Sequence, residues 1–408
     1  MGRLESILAT RLKRKSQTCK VFEIKVDKSH LSKKSIDHLY ALFKEAKWFY
    51  NYCISQEDIN EADTTLKSVP VKVVNNFENR SFVTLKSHMK QGIKKRIFTN
   101  LKSLSSRKKN GHRVGKLKFK SQLNSVPLPA CKHDFDIDFI GNRMRLSGLK
   151  HKMKVMGLKQ IPVGVEIANA TFIRKSNDFY FHIITFTPKE ERAVPESSIG
   201  IDFGCESQLT FSNGIKLEFQ VPVSRRLRKL DRKIMRKKRS GSKSKYKDEL
   251  KRQKEYEKLI NRKKDIRQKI VSTITNNFKY ICFQDESIHA WHSSNHGKKI
   301  QNSGIGGILS DLKHKSVTPI EVDKFFPSTQ LCPQCGKRKK LTLSERIYEC
   351  ECGYKKDRDI KSALCIEAEG MKQIPMDRRK LTLRENPSST FFDILSSISG
   401  VKVSKVIH

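Results

Sequence analysis

Two cysteine pairs near the C-terminal end constrain this chain more than any other stretch. They are Cys332-Pro333-Gln334-Cys335-Gly336 and, after a short spacer, Cys350-Glu351-Cys352-Gly353. Paired thiols at this spacing point to a four-cysteine zinc site, and four thiolates leave no open position, so the metal is structural. The glycine after Cys335 lets backbone N–H groups approach sulfur. The second pair is one residue shorter than the usual Cys-x-x-Cys, which makes its chelate more strained. Asp357-Arg358-Asp359 follows at once. A zinc-pinned lobe is therefore expected to deliver an acid to a reaction site, with partner acids upstream.

The charge narrows the class of partner. Lys and Arg number 84 against 42 Asp and Glu, a formal net of +42 spread over 408 residues. Such a surplus costs self-repulsion in the folded state. Solubility alone requires far less charge. Nucleic acid accounts for it best, because each phosphate neutralised by Lys or Arg releases a condensed counterion. No run of about 18 apolar residues is present to span a membrane, and Met1–Glu5 lacks the apolar segment of a signal peptide. The other six cysteines (Cys19, Cys53, Cys131, Cys205, Cys282 and Cys365) are scattered singly. That distribution suits a reducing cytoplasm with one metal site rather than a secreted disulfide scaffold.

Along the chain, residues 1–19 read as a mobile basic arm and Val21–Val26 as a strand. Apolar positions from Ile36 to Cys53 fall three or four apart, predicting a helix capped by Ser35; Trp48, Phe49 and Tyr50 belong to its core face. A second helix carries the stripe Phe82, Leu85, Met89, Ile93, Ile97, Leu101 and Leu104, with Lys86, Lys90, Lys94 and Lys95 placed off it as phosphate contacts. Arg107, Lys108 and Lys109 open a basic loop. Hairpins are expected around Ile140-Gly141-Asn142 and Ser176-Asn177-Asp178, giving a β-rich domain over 20–34 and 112–196 with a helical insertion at 35–111. Leu227–Ile274 reads as a basic helical hairpin broken at Ser240-Gly241-Ser242, with Arg228, Arg232 and Arg236 available to phosphates. Ser293–Gly307 reads as a flexible loop, and 373–408 as a tail.

Two further acids close apolar strands: Asp202 in Ile199-Gly200-Ile201-Asp202-Phe203-Gly204, and Glu286 after Tyr280–Phe283. Carboxylates gathered from distant segments repel one another unless they share a cation. Asp202, Glu286 and Asp359 are therefore candidate ligands of two Mg²⁺ ions about 3.5–4 Å apart. Asp-x-Gly at the end of the first strand of a hairpin sheet, with an acid ending a later strand, is an RNase H-like arrangement. Gly204 leaves room for the backbone to turn beside Asp202.

These residues resemble the TnpB nucleases of insertion sequences, RNA-guided relatives of the compact type V CRISPR effectors. Phe326-Pro327-Ser328-Thr329-Gln330-Leu331-Cys332 is similar to the family's entry into its zinc ribbon, and Asp357-Arg358-Asp359 to its Asp-Arg-Asp signature. Gly200–Gly204 and Asp285-Glu286-Ser287-Ile288 are similar to its first two RuvC motifs, and Lys47-Trp48-Phe49-Tyr50-Asn51 to its first helical patch. The resemblance implies a mixed α/β chain: an RNase H-like (RuvC) domain over 197–325 and 353–372, an inserted zinc ribbon at 326–352 held by Cys332, Cys335, Cys350 and Cys352, and an N-terminal β-barrel-like domain with a helical insertion. It implies Asp202, Glu286 and Asp359 as catalytic acids. The implied cofactors are Mg²⁺, zinc and a guide RNA, and the implied target is double-stranded DNA cut next to a short flanking motif. A monomeric, nucleoid-associated protein of a prokaryotic-type cell, encoded by a transposable element, is the expected setting. A compact CRISPR effector, or a guided repressor that cleaves weakly or not at all, is the alternative. Lys361 replaces the family's Asn beside the third acid, a departure that could pair with phosphate or weaken the metals.

Overall fold

Alternating apolar and polar residues in the first half of the chain build, in the computed structural model, a nearly closed, barrel-like antiparallel sheet. The structure describes all residues except 1–2, 75, 191–192, 238–241, 294–295, 343, 376–388 and 407–408. The chain divides into two compact units, 1–190 and 191–408.

The first unit begins not with a loose arm but with helix α1 (Arg3–Lys15). Its last turn is anchored: the Arg14 guanidinium donates to Glu166 at 2.6 Å and lies 3.6 Å from the centre of the Phe186 ring. Then come β1 (Gln17–Val26), α2 (Lys33–Ser55), the hairpin β2 (Ser68–Val73) and β3 (Asn76–Ser81), and α3 (Ser87–Lys109). Six strands complete the unit: β4 (Ser125–Leu128), β5 (Phe135–Asp138), β6 (Arg143–Leu146), β7 (Met153–Met156), β8 (Glu166–Lys175) and β9 (Asp178–Pro188). The sheet order is β4-β8-β9-β1-β7-β6-β5. Period-two alternation along β9 turns Phe179, Phe181 and Ile183 inward. There they meet the apolar face of α2, with Phe43 stacked 5.4 Å from Phe172. Burial of each such side chain contributes about 1.5–3 kcal/mol.

Two helix starts differ from expectation. Ser32, not Ser35, caps α2: its Oγ accepts the Ser35 N–H at 3.2 Å. Helix α3 starts at Ser87 rather than near Phe82. The buried Glu45 carboxylate accepts the N–H groups of Val83, Thr84 and Leu85 at 2.8–3.1 Å, holding that segment in a bend outside the helix.

The second unit contains β10 (Ser198–Phe203), β11 (Leu209–Phe211), β12 (Ile215–Phe219), α4 (Arg225–Arg236), α5 (Lys243–Asn277) and β13 (Tyr280–Gln284). It continues with α6 (Ile288–His292), α7 (Gly297–Ser303), α8 (Ile305–Lys315), β14 (Thr318–Val322), β15 (Ile347–Glu349), β16 (Lys355–Asp357), α9 (Arg358–Lys372), α10 (Ser389–Ser396) and β17 (Val401–Lys405). Its main sheet runs β14-β13-β10-β11-β12-β17, parallel across the first three strands and antiparallel beyond. Ile199, Ile201 and Phe203 face a core shared with Ile270, Ile274, Ile308, Leu312 and Phe391. Gly200 and Asp202 face the other way, toward α9. Gly200 permits that approach, since a Cβ there would sit 2.1 Å from the Ala363 carbonyl oxygen.

Much of the expected 293–307 loop is helical, in α7, where Ile300 is buried, and in α8, where Ile305, Ile308 and Leu312 are buried three or four residues apart. Likewise the expected tail supplies α10 and an edge strand, β17, paired with β12. Of that tail, 376–388 lie outside the described residues, as do Ser240 and Gly241 between α4 and α5.

Candidate active site and metal centre

Strand direction gathers the acids. β10 and β13 are parallel, with Ile201 opposite Phe283, so Asp202 and the Asp285-Glu286 pair emerge at the same sheet edge. Asp285 is engaged by Lys313 at 3.0 Å. Glu286 is more enclosed, and burial, with Asp285 beside it, raises its carboxyl above the ordinary range. The third acid comes from above the sheet. Asp357 caps α9, its Oδ1 accepting the N–H groups of Asp359 and Ile360 at 3.0 and 3.1 Å, and this fixes Asp359 in the first helical turn. These acids sense one another: burial foremost, then the charges of Asp359 and Glu286, push the Asp202 carboxyl up to about 8.

Sequence reasoning missed Lys216. In the sheet Asp202 lies opposite Thr210, and Thr210 opposite Lys216, forming one row across three strands. The Lys216 ammonium is 2.8 Å from Asp357 and 3.3 Å from Asp359. Its signal was the alternation Ile215, Leu217, Phe219, which buries those residues on one face and sends Lys216 to the face of Asp202. A cluster of repelling carboxylates that draws in Lys216 and, 3.5 Å from Asp359, the Arg358 guanidinium is a donor set suited to hard divalent cations.

The four cysteines come together despite the short second pair. Cys332 and Cys352 sulfurs are 3.6 Å apart, Cys335 and Cys350 sulfurs 3.5 Å, and all four lie within 4.8 Å of one another. Zinc–sulfur bonds of about 2.3 Å in a tetrahedron place sulfurs about 3.8 Å apart, so the set fits zinc. Gly336 and Gly353 follow each pair with φ of +72° and +85°, turning the backbone so that both knuckles close. β15 and β16 flank the second pair.

Lys361 requires a correction. It points neither to phosphate nor to the acids: it is fully buried, and its ammonium donates to the Ser328 and Leu331 carbonyls at 2.8 and 3.1 Å. It also lies 4.2 Å from the centre of the Tyr348 ring, and burial draws its pKa down to about 8. Helix α9 is thus tied to the segment entering Cys332. Gln284, also unanticipated, fastens that segment to β13 by donating to the carbonyls of Asp323, Lys324 and Phe326.

The expected phosphate contacts divide. Lys86, Arg107, Lys108, Lys109, Arg228, Arg232 and Arg236 are exposed. Lys90 is not: three and seven residues before Ile93 and Ile97, it shares their buried face, donating to the Leu66 carbonyl 4.2 Å from the Phe82 ring centre. Lys94 is half-buried and donates to the Asn60 and Ala62 carbonyls. Both serve the fold. Phe49 and Tyr50 are buried as expected, while Trp48 is half-buried with Lys44 over its ring. Among the described residues no helix is long and apolar enough to cross a membrane.

Similarity to known proteins bears on the family and the fold. Residues 310–366 match the family described as Cas12f1-like, TNB domain. A Streptomyces pristinaespiralis protein, named by inference as an RNA-guided DNA endonuclease, is 25% identical over 242 residues, 56% of this chain and 59% of that protein. A TnpB-like protein of Acanthamoeba polyphaga mimivirus is 27% identical over 210 residues, 46% of this chain and 40% of that protein. The matched stretches thus span less than two thirds of either relative. In fold, the chain is similar to the protein in a cryo-EM structure of a Cas12f1–sgRNA–target DNA complex, with a TM-score of 0.50 and 13% identity over 86% of this chain and 99% of that one.

Proposed function

Because the chain belongs to the TnpB family, we propose that it is an RNA-guided DNA endonuclease with one RNase H-like active site of the RuvC kind. One observation supports this reading: Asp202 at the end of β10 and Glu286 just past the parallel β13 leave at one sheet edge, near the first turn of α9 with Asp359, and after burial the charges of Asp359 and Glu286 raise the Asp202 carboxyl. Asp202, Glu286 and Asp359 would hold Mg²⁺, which when bound offsets their repulsion and supplies Lewis acidity toward water and phosphate. The chain's own residues do the rest. Asp357 fixes the turn that presents Asp359. Lys216 screens the acids in the unloaded chain and stands where a phosphate oxygen could take over one of its bonds. Zinc on Cys332, Cys335, Cys350 and Cys352 would hold the 326–352 lobe closed, and Lys361 and Gln284 brace its entry.

The guide RNA would read sequence by pairing, so the protein grips the heteroduplex through its backbone. Exchange of DNA duplex for RNA–DNA hybrid is nearly balanced in energy, and Lys and Arg contacts tip it. The exposed Arg107–Lys109 run and the Arg228, Arg232 and Arg236 face of α4 are suited to that role.

The test uses protein purified with its co-purifying RNA and a target matching that RNA. Asp202→Ala is expected to cut at least about 10³-fold more slowly, a loss of about 4 kcal/mol, while RNA and target binding persist. Unchanged cutting overturns the assignment. Target occupancy without scission by the wild type in Mg²⁺ or Mn²⁺ would favour the guided repressor instead.

A further inference from the structure

We propose that His88, His133 and Asp134 form a second metal site, for a zinc-like transition-metal dication, that clasps helix α3 to the sheet of the first unit. It is independent of the nuclease reading.

Asp134 sits in the turn before β5, fully buried. Its Oδ2 accepts the Ala130 N–H at 2.8 Å. Its Oδ1 lies 3.2 Å from His133 Nδ1 and 3.8 Å from His88 Nδ1. Among the described residues no lysine or arginine pairs with it. A carboxylate removed from water needs a cation or a full set of hydrogen bonds. At 3.8 Å His88 is too distant for a hydrogen bond, yet it aims a ring nitrogen at the same oxygen as His133.

An ion accounts for this convergence. Tetrahedral Zn²⁺ with ligand distances of about 2.0–2.2 Å places its nitrogen and oxygen donors about 3.4 Å apart, between the two separations observed. All three donor atoms lie within 4.8 Å of one another. Imidazole nitrogens with one carboxylate suit zinc and its neighbours, whereas Mg²⁺ and Ca²⁺ favour oxygen alone. The two imidazoles face each other with ring centres 4.1 Å apart. Both are exposed enough for one ring to turn about its Cβ–Cγ bond and bring both Nδ1 lone pairs onto the ion.

The backbone fixes the carboxylate in advance, as supporting hydrogen bonds do around metal ligands. The Asp134 N–H donates to the Ala130 carbonyl at 2.9 Å, and the Asp134 carbonyl accepts the Ser147 N–H at 2.8 Å. Lys132, immediately before His133, has φ of +68°, a left-handed conformation uncommon outside glycine. His88 lies in the first turn of α3, and His133 and Asp134 lie between β4 and β5. The ion would therefore join the helical insertion to the sheet, with a fourth position left for water.

The experiment measures zinc per full-length chain by elemental analysis after growth in zinc-supplemented medium. Two ions per chain are expected. His88→Gln and His133→Gln, both at partly exposed positions, should each retain one, as should Cys335→Ser; His133→Gln combined with Cys335→Ser should retain none. Cobalt loading distinguishes the sites, because thiolate-to-cobalt absorption belongs to the cysteines. In His88→Gln and His133→Gln that band should persist while bound cobalt falls by one. One zinc in the wild type, equal zinc in both histidine variants and the wild type, or loss of the thiolate band with the lost ion overturns the proposal.

Discussion

The two sheets handle charge in opposite ways, and the difference follows from strand direction. In the first unit every neighbouring pair is antiparallel, so successive strands end at opposite edges. Its acids meet donors and cations: the Gly141 N–H, foremost, and Lys152 hold the Asp138 carboxyl below its ordinary range, and Asp178 is paired with Lys25 and Lys28. In the second unit β10, β13 and β14 run parallel, and their C-terminal ends share one edge. There the acids meet each other, and Asp202 is pushed up to about 8. β10 is also where the strand order reverses, with β11 on one side and β13 on the other, and ligands of open α/β sheets bind at the carboxyl ends of strands at such switch points.

The same contrast recurs with buried cations, for among the described residues each unit buries one lysine. Lys361 donates to two carbonyls of the segment leading into the cysteine lobe and lies over Tyr348. Replacement by Met keeps the volume but orphans both carbonyls. Hydrogen bonds to charged groups contribute about 1.5–3 kcal/mol each, partly offset by relief of a buried charge, so Lys361→Met should cost about 2–4 kcal/mol. Urea unfolding of the zinc-loaded protein measures this, and zinc release to a chelator should quicken in parallel. An unchanged midpoint would remove Lys361 as the link between α9 and the lobe.

Asp202→Asn gives a smaller effect of opposite sign. The folded pKa lies above the unfolded value of about 3.8, so the folded chain holds a proton that the unfolded chain has released. Stability is therefore lost as pH climbs from about 4 to about 8. Asn removes the repulsion, and without added divalent ions the variant should be more stable than the wild type by on the order of 1–2 kcal/mol at pH 8. That advantage should vanish toward pH 5. Asp138→Asn in the antiparallel sheet should show no such gain, and equal behaviour of the two would collapse the contrast between the edges.

Legibility in the sequence follows the range of the forces involved. The Asp202 strand, the hairpins around Gly141 and Asn177 and the two long basic helices were readable because period and turn chemistry are local. The cysteine pairs stood out because their chemistry requires close spacing. Lys216 was hidden, since its value depends on sitting two strands from Asp202. Lys361 and Lys90 read as surface or site charges because composition marks lysine as polar, and only packing against Tyr348 or Phe82 reveals otherwise. Residues 293–307 read as a loop on their Gly and Ser content, and the helical period of Ile305, Ile308 and Leu312 begins only at the end of that stretch. Edge strand β17 could not be foreseen, because its partner β12 lies far away in the chain.

The mildest change completes the comparison of buried lysines. Lys90 has one carbonyl acceptor, Leu66, and lies over two aromatic rings, Phe82 and Phe49. Burial foremost lowers its pKa, while the charges of Glu45 and Asp63 work the other way. Loss of one bond, offset by relief of desolvation, sets the expected cost of Lys90→Met at about 1 kcal/mol, below that of Lys361→Met. Because its ammonium faces inward, the variant should bind RNA with unaltered affinity and salt dependence. Arg232→Ala, on the exposed face of α4, should instead reduce the slope of log affinity against log salt by about one. A reduced slope for Lys90→Met would mean that α3 presents this lysine to phosphate after all, alongside the exposed Arg107–Lys109 run at its end.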